Sequence, residues 1–285
     1  MQGLYDIGAG SMIGSKHLCL GNLTVGRNSQ DSYRILQDEQ VTIALVADGC
    51  GSQPHSEVGA TDGVQLMASS LARQWSRYSA LADKQGFAAA LPIALEAARQ
   101  DLLAHLRILA QAKNHGGSFS TVVCENYLFT LVGALIARQG CGFFSIGDGL
   151  IAVNGNVTQL GPFPENEPPY PAYALFTSRW PGEQLRFIVH QTLATGDLRS
   201  FLIGTDGVAD LKAAAALTIP GTSEPIGSLE QFWTLDGYFT KTGIHRKLAR
   251  IQSRHCSVRD GELRVDGPRL PDDTTMVVGR IRATA

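Results

Sequence analysis

Residues 118–160 read SFSTVVCENYLFTLVGALIARQGCGFFSIGDGLIAVNGNVTQL. Apolar and polar positions alternate along it, with polar breaks at Glu125–Asn126, Gln139–Gly140 and Asn154–Gly155. Period-two alternation is the mark of a half-buried strand, and Asn-Gly is a strong hairpin signal. The stretch therefore predicts an antiparallel meander of about four strands. Working outward, VTIALVAD (41–48) reads as a buried strand entering an Asp-Gly turn. Helical spacing runs from Glu57 to about Trp75, and again over 87–113, where Pro92 falls near the first turn or kinks the helix. NHGG (114–117) stops that helix. After the meander, the Pro-rich stretch 161–183 reads as a long surface loop over one sheet edge. LRFIVHQTLA and RSFLIGTDGVAD give two further strands, HRKLARIQS has helical character, and DDTTMVVGRIRA closes the chain as a strand. Helices come early, strands follow in runs, and helix returns late. That order predicts an α+β layered fold on antiparallel sheets, not alternating βαβ units.

The 285 residues are 44% hydrophobic and 18% charged, enough apolar content for a sizeable core and too much for a disordered tail. Lys and Arg total 24 against 26 Asp and Glu, so no long-range attraction draws the chain to nucleic acid or an acidic membrane surface. The five cysteines (Cys19, Cys50, Cys124, Cys141, Cys256) form no CxxC pair, which argues against a disulfide framework or a zinc knuckle. The start, MQGLYDIGAGSMIGSKH, lacks the pattern of a signal peptide, and no run reaches the ~20 apolar residues of a membrane helix. The expectation is a cytoplasmic protein, a monomer by default. No GxxxxGK[ST] loop occurs, which argues against an NTPase of that class.

Chemistry shows in the aspartates. Asp31 opens the strand-like DSYRIL. Asp48, Asp148 and Asp206 each follow an apolar run and precede glycine. Asp272 and Asp273 open the last strand. One Asp-Gly after a strand is ordinarily a turn. Three, with a terminal Asp-Asp and no Lys or Arg inside the motifs, describe carboxylates that would repel one another unless a cation joined them. A hard divalent ion such as Mg²⁺ or Mn²⁺ prefers oxygen ligands, and the glycine after Asp48 can bring a carbonyl oxygen to the same ion.

These motifs resemble those of the metal-dependent protein phosphatases, the protein phosphatase 2C family, in its bacterial branch. The matching stretches are NSQD (28–31), VADGCGS (46–52), GSFSTVV (117–123), SIGDG (145–149), GTDGV (204–208) and DDTT (272–275). Each is weak alone; six in order over residues 14–281 are specific. The resemblance implies a four-layer α-β-β-α sandwich of two antiparallel sheets flanked by helices. It also implies one catalytic domain over 1–285 and Mn²⁺- or Mg²⁺-dependent hydrolysis of phosphoserine and phosphothreonine in proteins.

Carried across, Asp48 would bridge two metals and the Gly49 carbonyl would bind the second. Asp206 and Asp272 would complete the first, Asp31 would hold water in the outer shell, and Asp148 would serve a third, weaker ion. The catalytic set is then Asp48, Asp206 and Asp272, with a metal-bridging hydroxide attacking phosphorus in line. The implied partners are a phosphorylated protein and a cognate Ser/Thr kinase.

Three departures from the family pattern stand out. Gln30 replaces a common Glu. Cys50 follows the Asp-Gly turn where eukaryotic members carry His. The phosphate-binding Arg position is Gly26, with Arg27 one residue closer as the candidate phosphate ligand and Lys16 and His17 as substitutes. A one-residue shift on an extended strand turns a side chain to the other face. The alternatives these departures raise are a pseudophosphatase that binds a phosphoprotein or partner without turnover, and a metal-dependent hydrolase of another phosphoester. His55 is expected near a helix start, Trp75, Trp180 and Trp233 as core or loop anchors, and HRKLAR (245–250) as a solvated helix face.

Overall fold

A computed structural model describes residues 5–20, 23–24, 28–176 and 180–282. The chain opens with β1 (Tyr5–Met12), the short α1 (Ser15–Leu18) and the two-residue strands β2 (Cys19–Leu20) and β3 (Leu23–Thr24). β4 (Asp31–Gln37) and β5 (Val41–Asp48) follow, then helices α2 (Ser56–Gln85), α3 (Phe87–Lys113) and α4 (Phe119–Tyr127). The meander is β6 (Leu131–Ala137), β7 (Gly140–Ile146), β8 (Gly149–Val153) and β9 (Asn156–Leu160). The rest is β10 (Ile188–Leu193), β11 (Ser200–Gly204), α5 (Gly207–Ala213), α6 (Gln231–Thr234), α7 (Gly243–Ile251), β12 (His255–Arg259), β13 (Glu262–Asp266) and β14 (Thr274–Ile281).

Two five-stranded antiparallel sheets carry the fold, ordered β1-β14-β11-β8-β9 and β10-β7-β6-β5-β4. Strand β5 shows why they stack. Ala44 and Val46 point into a core shared with Ile151, Ile203 and Val277 of the other sheet. Ile43, Leu45 and Ala47 face the opposite way, into a core with Leu71 of α2 and Leu91 of α3. A strand buried on both faces reads as a continuous apolar run, as VTIALVA does. On the far side, Leu150, Leu202 and Val278 pack against Val208, Phe232 and Leu248 of α5, α6 and α7. The layers are therefore α-β-β-α, as expected.

Several local expectations need correction. The meander has its four strands, but they start at Leu131; SFSTVVCENY contains the helix α4, not a strand. Val123 and Tyr127, one turn apart, are its buried residues along with Asn126, so tertiary packing overrides the β-branched composition. Helix α2 continues ten residues past Trp75, to Gln85, because its last turns are mostly exposed and carry little apolar pattern. Gly86, at φ 93°, then ends α2 and opens α3. Pro92 lies inside α3, at its sixth residue. The loop 161–183 is not confined to the surface: Tyr170, Ala172 and Leu175 are buried in the core under α3 and α4. Lys247 in HRKLAR is buried and bonds Glu224 at 3.0 Å, so that face is only partly solvated. The opening strand β1 and the exposed hairpin β12–β13 carry no clear signal in the sequence.

Candidate active site

At one end of the sandwich the acids come together from both sheets. Asp48 is the last residue of β5, in one sheet. Asp206 stands between β11 and α5, and Asp272 just before β14, both in the other. Asp148 sits where the chain crosses from one sheet to the other, between β7 and β8. Its glycine neighbours are required there: Gly147 and Gly149 have φ of 88° and 139°, and a Cβ on Gly149 would lie 2.6 Å from the Gly204 carbonyl oxygen. Asp48, Asp148, Asp206 and Asp272 line one pocket of about 260 Å³, together with Gly49, Cys50, His17, Asn166 and Tyr170.

Asp31 lies beneath rather than in this pocket. It is paired directly across the β4–β5 ladder from Asp48, so both carboxylates leave the same face. Asp31 Oδ2 accepts the Thr205 hydroxyl at 2.7 Å, while its buried Oδ1 has no hydrogen-bond partner among the described residues. The buried Asp148 Oδ1 also has none among them.

The electrostatics follow from that crowding. Burial, then Asp31, Asp206, Asp148 and Asp272, push the Asp48 carboxyl well above the usual carboxylate range. Asp31 is raised by burial and by Asp273. Asp206 is pushed up to about 7 by burial, Asp148, Asp272 and Asp210. Among the described residues only Lys16 supplies compensation, its Nζ 3.6 Å from Asp272 Oδ2 at the exposed rim. A divalent cation fits this donor set: it meets oxygen ligands only and relieves a repulsion the protein itself leaves standing. Among the described residues no three His, Cys, Asp or Glu side chains already sit as a closed ligand group, so the carboxylates would draw in around an ion.

A family model described as Protein phosphatase 2C matches residues 20–234. The chain belongs to the protein phosphatase 2C family. Among solved structures, serine-threonine phosphatase 2C from Toxoplasma gondii is 13% identical, with 98% of this chain and 95% of that one covered at a TM-score of 0.55. A mutant form of a bacterial serine phosphatase is 14% identical, covering 97% and 98% at a TM-score of 0.50. At such identities these likenesses show the fold. No curated protein matches the chain.

Against the protein phosphatase 2C pattern, Gln30 proves to be a tie rather than a pocket residue. Its Nε2 donates to Gln53 O at 3.1 Å and to Ser56 Oγ at 2.6 Å, fastening the turn after Asp48, and its Oε1 has no partner among the described residues. Gly49 is needed in that turn because a Cβ would meet the Gln30 and Ser56 carbonyl oxygens at 2.8 Å. Cys50 lines the pocket, its thiol 3.2 Å from Ser52 Oγ. Gly26 and Arg27 lie outside the described residues. His55 stands at the start of α2, as expected, and away from the pocket lining.

Three neighbours escaped the sequence. Asp210 follows Asp206 by one helical turn and interacts with it and with Asp272; the spacing DGVAD is the signal that could have found it. Tyr170 and Asn166 reach the pocket from the Pro-rich loop and have no local signature. Asp273 was read with Asp272, but it is buried behind the pocket, where it accepts the Gly14 and Gln30 backbone N–H groups and lies 2.9 Å from His17 Nδ1.

Proposed function

We propose that this chain is an active protein Ser/Thr phosphatase that uses Mn²⁺ or Mg²⁺, working as one catalytic unit over its length. One observation carries the reading: carboxylates from both sheets share a pocket in which they raise one another's pKa, and among the described residues only a rim lysine opposes them. In the proposed assignment Asp48 and the Gly49 carbonyl would hold two ions, Asp206 and Asp272 would complete one of them, and Asp148 would serve a third. When bound, the ions would supply Lewis acidity to a water nucleophile and to the phosphoryl oxygens.

The chain's own groups do the rest. Asp31, held by Thr205 and set beside Asp48, keeps an acceptor oxygen at the floor for ordered water. Gln30 fixes the turn that presents Gly49 and Cys50. Tyr170 and Asn166 bound the side where a phosphorylated segment would enter, and loops on a rigid scaffold are where specificity resides. The proposed substrate is a phosphorylated protein, supplied by an opposing Ser/Thr kinase.

The test is phosphate release from a phosphothreonine peptide by metal-stripped protein, with Mn²⁺ added back, beside Asp48→Ala. Release that requires Mn²⁺ and drops at least about 100-fold in the variant supports the reading. A folded wild type that binds the peptide and releases nothing would make the chain a binding domain instead.

A further inference from the structure

The hairpin β12–β13 stands apart from both five-stranded sheets, and among the described residues no third strand pairs with it. Its register sets Cys256 opposite Val265 and Val258 opposite Leu263. Side chains two apart on a strand, and those opposite each other across a ladder, share a face. These four therefore form one apolar face, while His255, Ser257, Glu262, Arg264 and Asp266 belong to the other. We propose that the apolar face and the free edge of β13 dock an extended, partly apolar segment of the phosphoprotein substrate, about six to ten residues from its phosphoresidue. The proposal rests on the phosphatase reading and names a second contact for its substrate.

The apolar face is turned outward. At the base of the hairpin Asp266 Oδ2 accepts Gly221 N–H at 2.9 Å, and a Cβ on Gly221 would meet the His255 ring at 2.4 Å. Both contacts lie on the polar face, so the polar face is the one that meets the rest of the protein. A hairpin that only covered the surface beneath it would lie the other way, with its apolar side inward. Here Val258, Leu263 and Val265 are 71%, 68% and 56% exposed, and Cys256 is exposed beside them. A two-stranded ribbon is marginal in water, and a third strand that extends an apolar face is one way to stabilise it.

Size and charge select the occupant. The three aliphatic side chains leave about two whole side chains' worth of surface open, on the order of 200 Å². A stable dimer takes about 800 Å² from each partner, so the face is too small to hold a second copy. It suits a segment that is already tethered, because a weak contact joined by a short linker to another gains from effective concentration. The acidic pocket supplies the tether. From Asp266 the chain reaches Asp272 in six residues, a span of at most about 20 Å, and Glu262 lies four residues further back. On the way, the Leu270 and Pro271 carbonyls accept Ser15 N–H and Lys16 N–H at 3.0 Å, beside the lysine at the pocket rim. Along β13, Glu262 and Arg264 alternate with Leu263 and Val265, and neither charge has an ion-pair partner among the described residues. An antiparallel strand reading apolar, acid, apolar, base would set its acid opposite Arg264 and its base opposite Glu262. Its apolar side chains would then lie beside Val265 and Leu263.

The experiment measures kcat and KM with Mn²⁺ on three phosphothreonine peptides. One is short. The second is the same peptide joined through about eight Gly and Ser residues to a Val-Glu-Val-Lys-Val tail, placed at either end. The third carries Ser for each Val of the tail. Wild type should show, for one placement, a KM about tenfold lower on the Val-tailed peptide than on the other two, with kcat unchanged. Leu263→Ser combined with Val265→Ser should erase that advantage and leave the short peptide unaffected, since both side chains are exposed and no core packing is lost. Arg264→Glu should erase it as well, and a Val-Lys-Val-Lys-Val tail should restore it. Equal KM on all three peptides, or an advantage that survives the Ser variant, overturns the proposal.

Two readouts need no turnover. Sedimentation should find wild type and the Ser variant both monomeric; a wild-type dimer that the variant dissolves would give the face to a second copy and overturn the proposal. Methyl NMR of Val258, Leu263 and Val265 should show shifts on adding the unphosphorylated Val-Glu-Val-Lys-Val peptide. Such shifts without phosphate release from any peptide would defeat the phosphatase reading and leave the docking face standing. Phosphate release with no methyl shift at millimolar peptide would do the reverse.

Discussion

Asp31 and Asp48 stand opposite each other on one face of the β4–β5 ladder, where like charges destabilise a strand pair. Without a cation, the acids settle this by holding protons. Asp206 shows the consequence for stability. Its carboxyl is pushed up from 3.8 to about 7, by burial first and then by Asp148 and Asp272. Between those values the folded chain keeps a proton that the unfolded chain has lost. Its contribution is full below the ordinary carboxylate range and is lost as pH rises toward 7, by up to about 1.4 kcal/mol per pH unit. Metal-free Asp206→Asn should therefore melt with a shallower fall between pH 5 and 7 than metal-free wild type. Equal slopes by calorimetry would show that Asp206 carries no such proton.

Gln30 yields a second residue-scale prediction. A carboxylate in its place cannot donate to the Gln53 carbonyl or to Ser56 Oγ, so Gln30→Glu should cost about 1–3 kcal/mol in a urea melt rather than restore a better site. A neutral or stabilising change would show that the tie is dispensable. At this scale the sequence was informative about which acids converge, because an Asp-Gly after an apolar strand needs a reason. It was silent on Gln30, whose role depends on contacts 23 and 26 residues away.

Helix α2 positions the site as an element. Its first turn follows the Asp48–Gly49 turn after six residues, and it lies close against the end of α4 and Phe129. Gly59 and Gly63 permit this: a Cβ on Gly59 would meet Asn126 O at 2.4 Å, and one on Gly63 the Phe129 ring at 2.4 Å. Gly59→Ala should cost about 1–3 kcal/mol by urea unfolding and lower kcat with it, because the helix must move away from backbone that cannot yield. Full stability in the variant would contradict this account of α2. The two glycines are visible in the sequence, but their purpose is not, since the Phe129 ring that needs the space is 66 positions from Gly63. The helix α4 was misread for a related reason: its β-branched residues favour a strand locally, and only packing against α2 and α3 selects the helix.

Across the whole molecule, the site is a joint between the sheets. Asp48 belongs to one sheet, Asp206 and Asp272 flank strands of the other, and Asp148 rides the crossover between them. An ion held by these groups would bind the folded state alone and stabilise it by mass action. The layered architecture was legible because both sheets are built from strands with clear alternation or continuous apolar runs. The strand β1 and the Pro-rich loop were not, since their burial depends on partners as distant as β14 and α3.

The measurement that bears most directly on this joint is a calorimetric titration of Mn²⁺ into metal-stripped protein, with Asp48→Ala beside it and melting followed in both. The account predicts saturable binding and a rise in Tm in wild type, with both lost or greatly weakened in the variant. Wild type that takes up no Mn²⁺, or a variant that binds and is stabilised equally well, would contradict it.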